Sequence, residues 1–155
     1  MEDRICMGAT EPLSEAIIMI PETIKEIIES NDNPYGRIAL GQVLQGPVKK
    51  TPILWIIPER VSLRDEEIHM LLYDYSVTLA HVDKTRRMQE EPMLAPSTLS
   101  TVFQLIKDGI RERHPMRMFI QDIHMESLEC LGTESEDRAV ITYEMRVKFL
   151  IRTTP

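Results

Sequence analysis

The chain has 155 residues, of which 43% are hydrophobic and 28% are charged, and its formal net charge is −7. A length of this order predicts one globular domain with a core of its own. The excess of acidic residues argues against general nucleic-acid binding, because neutralising phosphates requires a net basic surface. It is compatible with an acidic wall that DNA passes without adhering, because like charges repel.

The first nine residues are mixed in character, and we expect a flexible N-terminus at 1–9 followed by a single domain over 10–155. They lack the basic segment and apolar core of a signal peptide. No apolar run reaches the length that a membrane span needs. Cys6 and Cys130 are too few and too far apart to indicate a disulfide framework. The sequence therefore predicts synthesis in the cytoplasm and no membrane partner.

Two stretches carry the spacing of amphipathic helices. Between Leu13 and Ile28 the apolar residues recur on one helical stripe, which Pro21 interrupts with an expected kink or a fresh start. The second stripe follows Ser97, an expected N-cap, and continues to Ile110. Between these helices, residues 83–96 have no periodic pattern and are predicted to form a long irregular loop.

Other stretches indicate β-strands. Candidates are 37–44, the short apolar run 53–57, the alternating segment 68–82 and the segment 119–131. Residues 59–67, rich in charge, are predicted to be a connector.

The last strand, Arg138 to Arg152, has the clearest alternation in the chain. Its apolar parity runs from Ala139 to Ile151, and its other parity carries four charged side chains. These four are Glu144, Arg146, Lys148 and Arg152. We therefore expect an α+β fold with a mainly antiparallel sheet and two helices packed on one face, in the order α-β-β-β-α-β-β.

No constellation in the sequence predicts chemistry. The four histidines do not form a helical metal-binding pair, and the glycines do not form a phosphate-binding loop. Neither cysteine has a histidine near it in sequence. We therefore predict no catalytic, cofactor-binding or metal-binding residue.

The order and pattern of these elements resemble the tail terminator (tail completion) proteins of tailed bacteriophages. The matching parts are the stripe from Leu13 to Ile28, the strand LLYDYSVTL, the helix STLSTVFQLI and the ending ITYEMRVKFLI. The resemblance implies a non-enzymatic virion protein that forms a ring, commonly a hexamer, on the tail tube at the tail or neck. Its partners would be copies of itself, the tail tube protein and the head–tail connector or stopper protein, with DNA passing through the lumen.

If the resemblance holds, two groups of residues are candidates for contacts, and a third is a candidate for the lumen. The contact candidates are the basic run Lys84, Arg86 and Arg87 and the charged parity of the last strand. The lumen candidates are Glu134, Glu136 and Asp137 in an acidic turn. Two alternatives stay open: another neck component such as a head-completion or connector protein, and a small α+β ligand-binding or enzymatic domain.

Overall fold

The computed structural model describes residues 11–41, 51–112, 116–131 and 140–153. It contains two long helices, α1 (Glu11–Glu29) and α3 (Leu94–Glu112), and two short ones, α2 (Thr85–Glu90) and α4 (Met116–Phe119). The strands are β1 (Arg37–Leu40), β2 (Ile53–Glu67), β3 (Met70–Lys84), β4 (Ile120–Leu131) and β5 (Val140–Thr153). The predicted element order is confirmed, with α2 and α4 as additions. The N-terminal segment 1–9 lies outside the described residues.

The strands form one sheet in the order β1-β2-β3-β5-β4. Strand β1 pairs with β2 in parallel, and the other three neighbouring pairs are antiparallel. The predicted hairpin between β4 and the last strand is confirmed by this pairing. The predicted α+β class with a mainly antiparallel sheet is therefore correct.

Helices α1 and α3 cover one face of the sheet, as the two apolar stripes predicted. Ile20 and Ile24 of α1 and Leu99 and Ile106 of α3 are fully buried in the same core. The apolar parity of β5 meets them, and its buried members are Met145, Val147, Phe149 and Ile151. The helices also approach each other closely, since a Cβ built on Gly109 would lie 2.7 Å from Cδ1 of Ile27. Apolar burial in this core makes a major contribution to stability.

Pro21 lies inside α1, which is one helix from Glu11 to Glu29. A proline has no N–H, so the carbonyl of Ile17, four residues earlier, loses its helical partner. The hydroxyl of Tyr75 on β3 donates to that carbonyl at 2.9 Å. Burial raises the pKa of Tyr75 to about 12, so its hydroxyl keeps its proton. The sheet thus supplies the hydrogen bond that the proline removes from the helix.

The charged segment 59–67 is not a connector, because β2 continues through it to Glu67. Two register shifts, between Pro58 and Arg60 and between Leu63 and Asp65, interrupt its pairing with β3. Each bulge adds one residue and reverses the parity of those that follow. The alternation of side chains that marks a strand was therefore hidden in the sequence.

Residues 83–96 are not one long loop. Strand β3 extends to Lys84, helix α2 follows at once, and α3 begins at Leu94. Ser97 is not an N-cap, because its own N–H donates to the carbonyl of Met93 at 3.1 Å. Pro96 fits inside the first turn of α3, where backbone N–H groups have no helical partner.

The contact between Tyr75 and the Ile17 carbonyl predicts an energetic coupling with Pro21. Replacing Tyr75→Phe should lower the free energy of unfolding by about 1–2 kcal/mol, because a buried carbonyl loses its donor. In a Pro21→Ala background, where the helix regains the N–H, the same replacement should cost clearly less. Urea unfolding of the four proteins measures this cycle. Equal costs in both backgrounds would show that Tyr75 does not compensate for the proline.

Candidate interaction surfaces

The face of the sheet opposite the helices carries paired charges. Strand β5 places Glu144, Arg146, Lys148 and Arg152 on this face, as predicted. Nε of Arg146 lies 3.4 Å from Oε2 of Glu59, and Nζ of Lys148 lies 3.2 Å from Oε1 of Glu126. The contact role of these four residues stays a prediction, but two of their cations already have carboxylate partners within the chain.

Carboxylates cluster around Arg146 on this face. Glu144 faces Glu129 directly across the β4–β5 pair. Burial, the nearby charge of Glu59 and that of Glu129 raise the pKa of Glu144, and Arg146 opposes them. The hydroxyl of Thr78 donates to Glu59 at 2.6 Å and fixes its position. The arrangement is a group of three neighbouring carboxylates, those of Glu59, Glu129 and Glu144, around the cation of Arg146.

A shallow depression of about 400 Å³ lies within this charged face. Basic, acidic and hydroxyl side chains line it in comparable numbers: Glu59, Arg60, Ser62, Asp74, Ser76, Glu126, Arg146 and Lys148. Oδ1 of Asp74, 3.7 Å from Nη1 of Arg64, has no hydrogen-bond partner. Such a balanced lining suits contact with another polar protein surface better than it suits a small apolar ligand.

The basic run lies at the end of β3 and on α2. Lys84 ends the strand, and Arg86 and Arg87 are on the helix. Arg86 pairs with Glu90 at 3.2 Å on an exposed surface, where an ion pair contributes little to stability. Arg87 reaches inward, with Nε 3.7 Å from Oδ2 of Asp83. The three basic side chains therefore do not act alike, since Arg87 is also a counter-ion to a buried carboxylate.

Behind α2, a chain of polar side chains enters the protein interior. The hydroxyl of Tyr35 and Nδ1 of His81 share a hydrogen bond of 2.9 Å. Nε2 of His81 lies 3.8 Å from Oδ2 of Asp83, and both side chains are 1% exposed. Oδ1 of Asp83 accepts from the backbone N–H of Lys84 at 2.8 Å. Burial lowers the pKa of His81 against the opposing effect of Asp83, and the same burial raises that of Tyr35.

The histidine and aspartate of this polar chain are each 1% exposed, so solvent has little access to them in the folded chain. A raised pKa also makes the Tyr35 hydroxyl a poorer nucleophile than a free phenol. These polar side chains attach α2 to the sheet, because Arg87 lies on α2 and contacts Asp83, which lies on β3 beside His81.

The sheet has two open edges within the described part of the chain. Strand β1 pairs with only the first four residues of β2, and no described strand pairs with β2 on that side beyond Ile56. At the opposite end of the sheet, β4 pairs with β5 alone. Unpaired strand edges present backbone donors and acceptors that another strand can use.

The sequence did not single out the charged residues of these edges. Arg60 and Arg64 lie on β2, and Asp122 and Glu126 lie on β4. The sequence predicts a connector at the first two. The only sequence signal for them was the alternation of Val61 and Leu63 with polar residues, which is short. The lumen candidates Glu134, Glu136 and Asp137 fall outside the described residues.

Other site classes find no support in the described ranges. No group of three or more histidine, cysteine, aspartate or glutamate side chains there could hold a metal ion. None of the helices there is long and apolar enough to span a membrane.

The buried histidine predicts a specific pH dependence. Burial lowers the pKa of His81 below 6.5, so the unfolded chain binds a proton here in a range where the folded chain does not. Its contribution to stability is therefore fully present above about pH 6.5 and is lost as the pH falls towards the folded-state pKa. Urea unfolding between about pH 7.5 and pH 5 should show this decline in the wild type. His81→Gln should flatten it, whereas His69→Gln, in the β2–β3 turn, should not. An unchanged slope in His81→Gln would contradict this assignment.

Comparison with known proteins gives a distant structural likeness. No protein-family model matches the chain, and no curated protein matches it. Among solved structures, it is similar to a chain of a structure described as the virion of a native gene transfer agent particle. The TM-score is 0.45 at 7% sequence identity, over 85% of this chain and 93% of that one.

Proposed function

We propose that this chain is a structural subunit of a tailed-phage virion. Its copies close into a ring, a hexamer by the resemblance, that caps the tail tube and joins it to the head connector. The observation that carries the proposal is the element order. The resemblance to tail terminator proteins rests on that order, and the fold reproduces it with both helices on one face of the sheet.

The open edges support assembly into a ring. They belong to different strands on opposite sides of one sheet, so a contact between them joins two different surfaces. A contact of this head-to-tail kind closes into a ring when the rotation between neighbours divides a full turn, and otherwise gives a filament.

The charge distribution supports the passage of DNA without tight binding. The net charge is −7, and Arg64, Arg146 and Lys148 each have a carboxylate within 4 Å. Cations that are already paired gain less from a phosphate, because a carboxylate has to be displaced first. Glu134, Glu136 and Asp137 are proposed to face the lumen, and Lys84, Arg86 and Arg87 to face the tail tube or connector.

Electron microscopy of the purified chain tests the ring directly. We expect pore-bearing rings, with a mass by light scattering that is a small multiple of 18.0 kDa. A labelled DNA duplex should not be retained by these rings at about 50–200 mM salt, because their surface is not net basic. Binding of the rings to isolated tail tubes rather than to DNA-filled heads separates a terminator from a head-completion protein.

A chain that stays monomeric up to high concentration, and that binds neither tubes nor heads, would refute the proposal. Reversing the charges of Arg86 and Arg152 tests the proposed contacts with partners. If these side chains contact partners, reversing both to glutamate should weaken tube binding and leave the fold intact. Unchanged tube binding would remove them from the contact surface.

A further inference from the structure

Each edge of the sheet has a stretch beside which no described strand lies. Four of the 15 residues of β2 pair with β1, and no described strand pairs with residues 59–67 on that side. Gly41 follows β1, its φ of +116° departs from the extended conformation, and its N–H donates to the carbonyl of Ile56. At the other edge, β4 has 12 residues. Residues 60–66 of β2 and 120–126 of β4 are stretches of equal length.

The bulges on the two edges have the same spacing. The residues of β2 on the helix-covered side are separated by three, two and three positions: Pro58, Val61, Leu63 and Glu66. Read in the opposite direction, β4 gives the same steps on the same side: Leu128, Met125, Ile123 and Ile120. Bulges normally deter pairing with a regular strand. Here an antiparallel alignment brings the bulged segments opposite each other and keeps all side chains on matching faces.

This alignment also makes the side chains complementary. On the helix side it places Val61 opposite Met125 and Leu63 opposite Ile123. Leu63 is 52% exposed and Met125 is 45% exposed in the single chain, so both have apolar surface to bury. Burial of such surface favours association.

On the charged side, the same alignment places Arg60 opposite Glu126 and Arg64 opposite Asp122. Opposite charges directly across a strand pair are favourable. Glu126 already contacts Lys148, and Arg64 contacts Asp74. The contact would therefore extend two existing ion pairs into longer series of alternating charge.

We infer that β4 of one copy of the chain adds antiparallel to the open edge of β2 in the next copy, with Leu63 opposite Ile123 and Arg64 opposite Asp122. The inference rests on the proposed ring and names the surfaces that form it. The sheet then continues from subunit to subunit with the helices on one side. Strands without this bulge spacing and charge pattern are disfavoured, which restricts the edge to copies of the same chain.

Charge exchange across the two edges tests the inference. One variant carries Arg60→Glu with Arg64→Glu, and the other carries Asp122→Arg with Glu126→Arg. Each alone places like charges across both pairs, so we expect self-association to weaken more than tenfold. In an equimolar mixture every contact between unlike variants is again attractive, so mixed rings should form. Sedimentation velocity measures assembly, and circular dichroism checks that each variant is folded.

The matched control for the Arg60→Glu, Arg64→Glu variant is Lys107→Glu with Arg111→Glu, which changes the net charge by the same amount and lies on helix α3 rather than on either edge strand. It should assemble like the wild type. Two folded edge variants that still form rings alone, or that stay apart when mixed, would overturn the inference. If a double variant does not fold, the single variants Arg64→Glu and Asp122→Arg are tested in its place, alone and mixed. If the wild type forms rings and the edge variants assemble in the same way, the inference fails but the proposed function stands. If the wild type does not assemble, the proposed function itself fails.

Discussion

In the described residues, both long helices pack on the same face of the sheet, and much of the structure follows from that constraint. The strands bury their apolar parity under α1 and α3, and neither of these helices covers the opposite parity. Charged side chains on that second face have to be stabilised by one another or by solvent. Glu59 illustrates the result, because it accepts from Thr78 and pairs with Arg146. The polar face is therefore organised within the chain before any partner is present.

A second consequence concerns the ends and edges of the sheet. The strands of the β2–β3 hairpin are long, and burial along β2 declines from Ile53, which is fully buried, to the exposed residues near Glu67. Ile68 at the tip is 86% exposed. The helices do not cover this part of the sheet. In our proposal, the next subunit supplies the pairing partner for residues 59–67 of this edge, and assembly continues the sheet from one subunit to the next.

Much of this architecture could be predicted because two regular periods are visible in the sequence. The helical stripe ending at Ile28 and the alternation ending at Ile151 each identify one buried face. The same method failed where the period changes within an element. Bulges after Pro58 and Leu63 reverse which residues of β2 face the helices. This part of β2 therefore has no regular alternation and was predicted to be a charged connector. The fresh start that was one of two expectations at Pro21 does not occur, because Tyr75, 58 residues after Ile17, donates to the carbonyl that the proline leaves without a helical partner.

Contacts between distant residues were also beyond sequence reasoning. Tyr35 and His81 are 46 residues apart and share a hydrogen bond only because β1 and β2 bring the loop before β1 beside β3. Neither residue belongs to a motif. The edge residues are a similar case, because the opposite charges of Arg60 and Asp122 indicate a contact only when the two edges are compared. Long-range pairing is set by the register of the strands, and that register depended on bulges that the sequence does not reveal.

Disulfide trapping tests the central claim, that copies of this chain join β4 to β2 edge to edge. Ser62→Cys and His124→Cys, in a background with Cys6→Ser and Cys130→Ser, would face each other on the charged side of the contact. Opposite residues of an antiparallel pair lie within the Cα separation that a disulfide needs. Mild oxidation should give a series of covalent oligomers up to the size of the ring, and either cysteine alone should give no such series. Rings that assemble but never cross-link through this pair would contradict the account.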